Sequence, residues 1–226
     1  MHLHLILPHP ARLQLGTNHM GHAYLVSLLR PRLVAQAAPC RVVVLASIAH
    51  RLGGLDLRDL HYKHGRTYTS WGAYAQAKTA NILFAKVCLL RRGLPGALEA
   101  ARPRASISPL SLPQELAAQL AGTRVTPVSV HPGIIVTSQP KWLTTGLIGA
   151  VFRLAFVDKT VEEGAATTLY ACLEPSLAEA CNRGAYLADC DIAAPFTAEA
   201  RDPGGVVGRA LWAVTEAQLR EALDRE

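Results

Sequence analysis

Tyr74 and Lys78 stand four residues apart, the spacing that puts two side chains on one face of a helix. A phenol, whose ordinary pKa is about 10, is a poor base at neutral pH, but a neighbouring ammonium favours the phenolate. Such a pair can carry a proton to or from a substrate oxygen. Alone it is weak evidence, because a Lys that lays its stem along a helix and snorkels to water gives the same spacing. Its neighbours strengthen it. Ser47 ends the run Arg41, Val42, Val43, Val44, Leu45, Ala46, and the carboxyl ends of strands are where open α/β sheets present reactive groups. Its hydroxyl can bond a substrate carbonyl. Asn18, in an earlier helical stretch, has an amide that can hold a water and extend a proton path from Lys78. His131, Pro132 and Gly133 follow a second strand-like run, with Thr137 soon after. They make a tight turn whose amides and hydroxyl can meet a polar ligand.

These residues need elements to hold them. Leu25, Leu29, Leu33 and Val34 continue a helical pattern that begins near Leu13, and residues 41–46 form a β-branched run of strand length. Residues 71–90 read as a longer helix with Ala73, Ala77, Ala80 and Phe84 on one face, and residues 124–130 as a second strand. Thr160 and Glu163 have the spacing of a capping box before a helical pattern over residues 165–173. Residues 185–192 are a third strand candidate, and Val206–Leu223 closes the chain as an amphipathic helix with Leu211, Trp212, Leu219 and Leu223 on one face. Strands alternating with helices imply an α/β fold with a doubly wound parallel sheet. Residues 87–114 interrupt the pattern with Gly93, Pro95, Gly96, Pro103, Pro109 and Pro113. Joining Lys86 to Glu115 would give Ile82, Leu83, Phe84, Leu116 and Leu120 one helical period, which marks 87–114 as an insertion; a surface loop is the alternative.

With 226 residues, 50% of them hydrophobic and 18% charged, the chain suits one globular domain and neither a coiled coil nor a disordered chain. The net charge of +6 is scattered, and its densest group, Arg91, Arg92, Arg102 and Arg104, has no aromatics interleaved for stacking on bases. A nucleic-acid partner is not expected. Cys40, Cys88, Cys172, Cys181 and Cys190 lack the spacing of a metal or redox motif and read as reduced, buried residues. No pair among the nine histidines is framed by a carboxylate in a zinc spacing, so no metal is expected. The start carries no secretory pattern. The apolar stretch 146–157 includes Arg153 and falls short of the roughly 20 residues that span a bilayer. It can still lie against a membrane surface, which leaves cytoplasmic, organellar and peripheral membrane locations open.

Asn18, Ser47, Tyr74 and Lys78 match, in order and on the expected elements, the Asn, Ser, Tyr, Lys tetrad of the short-chain dehydrogenases/reductases. The phrases Thr-Asn-His-Met-Gly-His from Thr17, Leu-Ala-Ser-Ile-Ala-His from Leu45, Ala-Tyr-Ala-Gln-Ala-Lys-Thr-Ala-Asn-Ile-Leu-Phe from Ala73 and Ser-Val-His-Pro-Gly from Ser129 resemble its retinol-dehydrogenase-like and chloroplast-translocon-associated subgroup. The resemblance runs from about Leu13 to the C-terminus. It implies that Tyr74 gives or takes the proton at the substrate oxygen and that Ser47 orients that oxygen. Lys78 would bond the nicotinamide ribose and favour the Tyr74 phenolate, and Asn18 would anchor a relay water. Pro132, Gly133, Ile135 and Thr137 would line the nicotinamide side. The implied cofactor is NADP or NAD, for which a positive protein is suited, and hydride passes directly between it and the substrate carbon. The implied substrate is a small lipophilic carbonyl or alcohol, retinoid-like or a simpler aldehyde or ketone, covered by residues 146–157. A homodimer through the helix that begins at Trp71 is the implied assembly.

The sequence also departs from that family. Its Gly-rich phosphate turn should lie well before Asn18, where this chain has seventeen residues. The expectation is therefore a partial Rossmann-type sheet lacking its N-terminal βαβ dinucleotide-binding part, with an uncovered edge on the strand before Ser47. Gly204, Gly205 and Gly208 read as a turn before the last helix. Pro127 falls in a strand that should be central, so that strand is expected to start later or to be irregular. A second reading follows: a catalytically inactive remnant that at most associates with a full-length relative.

Overall fold

Val42, Val43 and Val44 are β-branched and stiff at χ1, and they form a strand that packs on both faces. Val42 and Val44 face one hydrophobic cluster with Phe84 and Trp212, and Val43 faces another with Val128, Val130 and Leu187. This alternation builds a three-layer protein. The structure, a computed structural model, describes residues 10–87, 123–135, 159–179 and 182–224. In order, its elements are helix α1 (Pro10–Leu15), a π-helical turn (Gly16–Met20), α2 (Gly21–Val34), strand β1 (Cys40–Leu45), a 3₁₀ turn (Ile48–Leu52) and α3 (Ser70–Val87). They continue with β2 (Val125–His131), α4 (Val161–Leu173), a 3₁₀ turn (Pro175–Ala178), β3 (Tyr186–Ala188), β4 (Asp191–Ala193), α5 (Ala198–Arg201) and α6 (Val206–Leu223). Thr137, the apolar stretch 146–157 and residues 88–114 of the inserted segment lie outside the described residues.

Among the described residues the sheet runs β1-β2-β3-β4. β1 and β2 are parallel with Val44 opposite Ser129, β2 and β3 are parallel with Ser129 opposite Tyr186, and β4 returns antiparallel. The α/β class with helices on both faces is as the alternation implies. The single strand expected over residues 185–192 is instead the β3-β4 hairpin. Asp189 and Cys190 both take positive φ, 54° and 57°, the left-handed pair that a two-residue hairpin turn requires. Within the described residues β1 pairs on one side only, and exposed Leu25, Leu28 and Leu29 of α2 and Leu169 and Leu173 of α4 belong to the same two layers.

Pro127 does not delay or disrupt β2, contrary to expectation. The parallel ladder explains why. Ser129 N–H donates to Ala185 on the β3 side at 2.9 Å, and the Pro127 carbonyl accepts from Gly184 on that same side at 2.7 Å. The donor that proline lacks would thus point toward β3, whose pairing begins only at Ser129. No ladder bond is lost.

α3 is the central helix. Ala73, Ala77, Ala80 and Phe84 are buried as their spacing predicts, but Ala75, Ile82, Leu83 and Ala85 are buried too, because α3 lies between the sheet and α6. Phe84 stacks on Trp212 of α6 with ring centroids 5.5 Å apart. The start of α3, with Trp71 half exposed, reaches solvent. α4 begins with the capping box read from sequence: Thr160 Oγ1 accepts from Glu163 N–H, and the Glu163 carboxylate accepts from Thr160 N–H. The cysteines differ from expectation. Cys172 and Cys190 are exposed and Cys40 is half-buried, all as free thiols; hairpin and helix-end positions put them outside the core.

Candidate active site

The carboxyl ends of β1 and β2 lie side by side, with Ala46 N–H donating to Val130 O at 2.8 Å. Beyond them the chain turns sharply twice. Ser47, in extended conformation, caps the 3₁₀ turn: its Oγ accepts from Ala49 N–H at 3.2 Å. This leaves the hydroxyl hydrogen for another acceptor. After β2, Gly133 adopts φ of 91°, and a Cβ there would sit 2.4 Å from Cδ of Lys159. The Lys159 stem therefore lies directly across the turn, and its ammonium pairs with Asp189. Ile135 bridges in parallel to Lys159 and presses its side chain onto α4 at Gly164, where a Cβ would be only 2.0 Å from Ile135 Cδ1.

His131, flagged in the sequence only as part of that turn, joins the two edges. Its Nδ1 accepts from Ile48 N–H at 3.2 Å and, at a longer 3.4 Å, from Gly133 N–H. The Gly133 amide is thereby engaged within the turn. His50, one turn beyond Ser47, is fully buried between Tyr186 and Phe196. Phe196 N–H donates to its Nε2 at 2.9 Å, so the Nδ1 hydrogen goes to Ser47 O at 2.7 Å. Burial holds the His50 pKa below the ordinary histidine value.

Tyr74 and Lys78 do share one face of α3, with Lys78 Nζ 5.5 Å from the Tyr74 ring centroid. Tyr74 is half-buried and packs edge-on against Trp71. Lys78 is buried, and its ammonium donates to the Leu45 carbonyl at 2.9 Å. That bond ties α3 to β1 two residues before Ser47. Burial lowers the Lys78 pKa. Asn81, one turn on and absent from the sequence-derived set, donates its Nδ2 to the same carbonyl at 3.0 Å. The signal that could have found it is the spacing of three from Lys78.

Asn18 sits in the π-helical turn, where Gly21 N–H reaches back to Gly16 O. The wider turn is a type that recurs at functional sites. Here the Asn18 amide donates at 3.0 Å to both the backbone and side-chain oxygens of Gln14. Its neighbour His19 points inward instead, fully buried, with Nε2 2.9 Å from Thr215 Oγ1 of α6 and the ring edge-on to Phe84. Burial lowers the His19 pKa to about 4, opposed by the Asn81 side chain beside it.

The depressed histidine has a consequence for acid stability. In the unfolded chain His19 titrates at its ordinary value of about 6.5 and in the folded chain at about 4, so over that window the unfolded state binds more protons. Stability then rises with pH across the window and is lost as pH falls through it. His19 alone should account for about 3 kcal/mol. Urea denaturation at pH 7 and pH 4 checks this: the difference should shrink in His19→Gln, and an unchanged difference would refute the assignment.

Among the described residues no group of three His, Cys, Asp or Glu side chains is placed to hold a metal ion, and no helix is long and apolar enough to cross a membrane.

No family model matches the chain. Sequence comparison does find relatives. The chain is 30% identical over 204 residues to retinol dehydrogenase 11 of Mus musculus, covering 90% of this chain and 52% of that one. It is 34% identical over 178 residues to retinol dehydrogenase 12 of Homo sapiens, covering 78% and 45%. The chain is a relative of the SDR-family retinol dehydrogenases. A third relative, dehydrogenase/reductase SDR family member 13 of Bos taurus, is 33% identical over 188 residues, covering 81% of this chain and 41% of that one. The chain spans about half the length of the curated relatives it matches. Its kin are thus oxidoreductases. The crystal structure of an uncharacterized protein from Mycobacterium paratuberculosis superposes with a TM-score of 0.53 at 27% identity, covering 91% of this chain and 58% of that one, which agrees with the Rossmann-like α/β fold.

Proposed function

We propose that this retinol-dehydrogenase relative is an NAD(P)-dependent oxidoreductase that interconverts a carbonyl and an alcohol on a small lipophilic substrate. The observation that carries the reading is the tether from Lys78 Nζ to Leu45 O. It holds an ammonium next to the Tyr74 ring and next to the segment that bears Ser47. Tyr74 gives its phenolic proton to the substrate oxygen in reduction and takes it back in oxidation. Ser47 donates its free hydroxyl hydrogen to that oxygen. Lys78 uses one ammonium hydrogen on Leu45 and has two left, which suits the adjacent hydroxyls of a ribose. The donors of Lys78 and Tyr74 suit the nicotinamide end of a dinucleotide, and Asn18, Pro132, Gly133, Ile135 and Thr137 are added to that proposed site from the family pattern. The nicotinamide, when bound, supplies or accepts the hydride.

The substrate class comes from the relatives, whose names specify retinol; a retinoid or another lipophilic aldehyde, ketone or alcohol is proposed. Peripheral membrane contact through residues 146–157 and pairing of two copies through the exposed start of α3 at Trp71 complete the proposal.

Calorimetric titration of the 226-residue chain with NADPH and NADH tests it. Saturable binding is expected, weakened about tenfold or more by Lys78→Ala, the loss of a hydrogen bond from a charged donor. A chain that is folded by circular dichroism and binds neither dinucleotide would overturn the reading. It would favour the alternative, a non-catalytic partner of a full-length relative.

A further inference from the structure

Lys78 and Asn81 are buried on the same face of α3, and both donate to one carbonyl, Leu45 O, at 2.9 and 3.0 Å. A peptide carbonyl has two lone pairs, so both bonds can form at once. The Leu45 peptide is the last of β1, and its Ala46 neighbour is bonded across to β2. Its carbonyl is thus held by two helix side chains at the point where the strand gives way to the Ser47 turn. Behind Asn81 the arrangement continues. Asn81 Oδ1 and His19 Nδ1 are both buried without a hydrogen-bond partner of good geometry, and Asn81 lies close enough to His19 to influence its charge. His19 Nε2 meets Thr215 Oγ1 of α6. If Thr215 donates to Nε2, the ring hydrogen is on Nδ1, the tautomer that complements Asn81 Oδ1.

We propose that Asn81 is a positioning residue for Lys78: by holding the Leu45 carbonyl, it fixes the acceptor on which the Lys78 ammonium is aimed. The proposal rests on the oxidoreductase reading only for its purpose, since the geometry is independent of any cofactor. The bonds join elements distant in sequence: α3 to β1 at Leu45 O, and the π-helical turn to α6 through His19 and Thr215. Asn81 shares with Lys78 the carbonyl that Lys78 uses. Asn18, by contrast, is bonded to Gln14 within its own helix. The charged and titratable groups around Lys78 on this path are Tyr74 on its own helix and His19 on the facing turn.

The test is competitive labelling of lysine amines with acetic anhydride, read by mass spectrometry on the full chain. Lys86 provides an internal control, because it lies two turns further along α3, is also shielded, and donates to Arg201 O. In Asn81→Ala the Leu45 acceptor loses its second anchor, and Lys78 should be labelled about tenfold faster, the effect of one unit in its proton affinity. In Asn81→Asp, nearly identical in shape, a carboxylate beside the ammonium favours the unreactive charged form, and Lys78 should be labelled more slowly. Lys86 should not change in either. Opposite responses at Lys78 with a constant Lys86 are a result that general loosening cannot produce. A Lys78 rate indifferent to both substitutions, or Lys86 rising together with Lys78, overturns the proposal. If Asn81→Ala does not fold, Asn81→Ser, whose shorter side chain withdraws the donor from the Leu45 carbonyl, takes its place with the same expected rise at Lys78 and the same constant Lys86. Labelling needs no dinucleotide, so a chain that binds no NADPH yet shows the opposed responses retains the positioning role while losing the oxidoreductase reading.

Discussion

Tyr74→Phe is expected to lower the turnover of a lipophilic aldehyde by about 10³-fold while leaving NADPH binding within a few-fold of the parent chain, the range for removing a positioned general acid. The separation of the two effects follows from geometry. The phenol oxygen is the only atom removed, and the Tyr74 ring that packs edge-on against Trp71 and lies beside the Lys78 ammonium is retained in Phe. Lys78 keeps its bond to Leu45 O and its remaining hydrogens for a ribose. The measurement is a steady-state assay of NADPH oxidation beside a binding titration. Turnover retained within about tenfold would remove Tyr74 from the role of proton donor.

Trp212→Ala should cost about 4 kcal/mol of unfolding free energy, a large share of what a domain of this size possesses. Trp212 is 4% exposed and stacks on Phe84, and around the pair lie Ala23, Val44 and Ala85 with Val26, Val42 and Leu219. Truncation would leave a cavity where α2, α3, α6 and β1 meet, and four elements anchored elsewhere cannot all move in to fill it. Among the described residues the indole nitrogen has no hydrogen-bond partner, so the loss is one of packing. Trp212→Phe, which keeps a ring, should accordingly cost less than about half as much. Urea denaturation followed by circular dichroism distinguishes the two. A loss below about 1 kcal/mol in Trp212→Ala would mean that the α3-α6 contact is not part of the cooperative core. Because Phe84 is three residues from Asn81 on α3, the same contact also supports the face that presents Lys78.

The features legible without the fold are local. The capping box at Thr160 and Glu163, the bounds of the last helix at Val206–Leu223, the valine strand before Ser47, and the common face of Tyr74 and Lys78 all rest on patterns a few residues long. Backbone geometry converts such spacing directly into position, so these features are legible without knowing where the rest of the chain goes. The order of the four tetrad-like residues carried the family resemblance for the same reason: each is set by its own element.

Only the tertiary structure decided how those elements meet. Pro127 is harmless because β3 begins pairing at Ser129, a matter of register between segments nearly sixty residues apart. The exposed Cys172 and Cys190 and the hairpin at Asp189 and Cys190 depend on where the sheet stops. The π-helical turn gives neighbours Asn18 and His19 different surroundings, one bonded to its own helix and the other buried against α6. Most consequential for the site, Lys78 and Asn81 converge on Leu45 O. A main-chain carbonyl has no signature in sequence, since every residue carries one; which of them a buried amine finds is determined by packing.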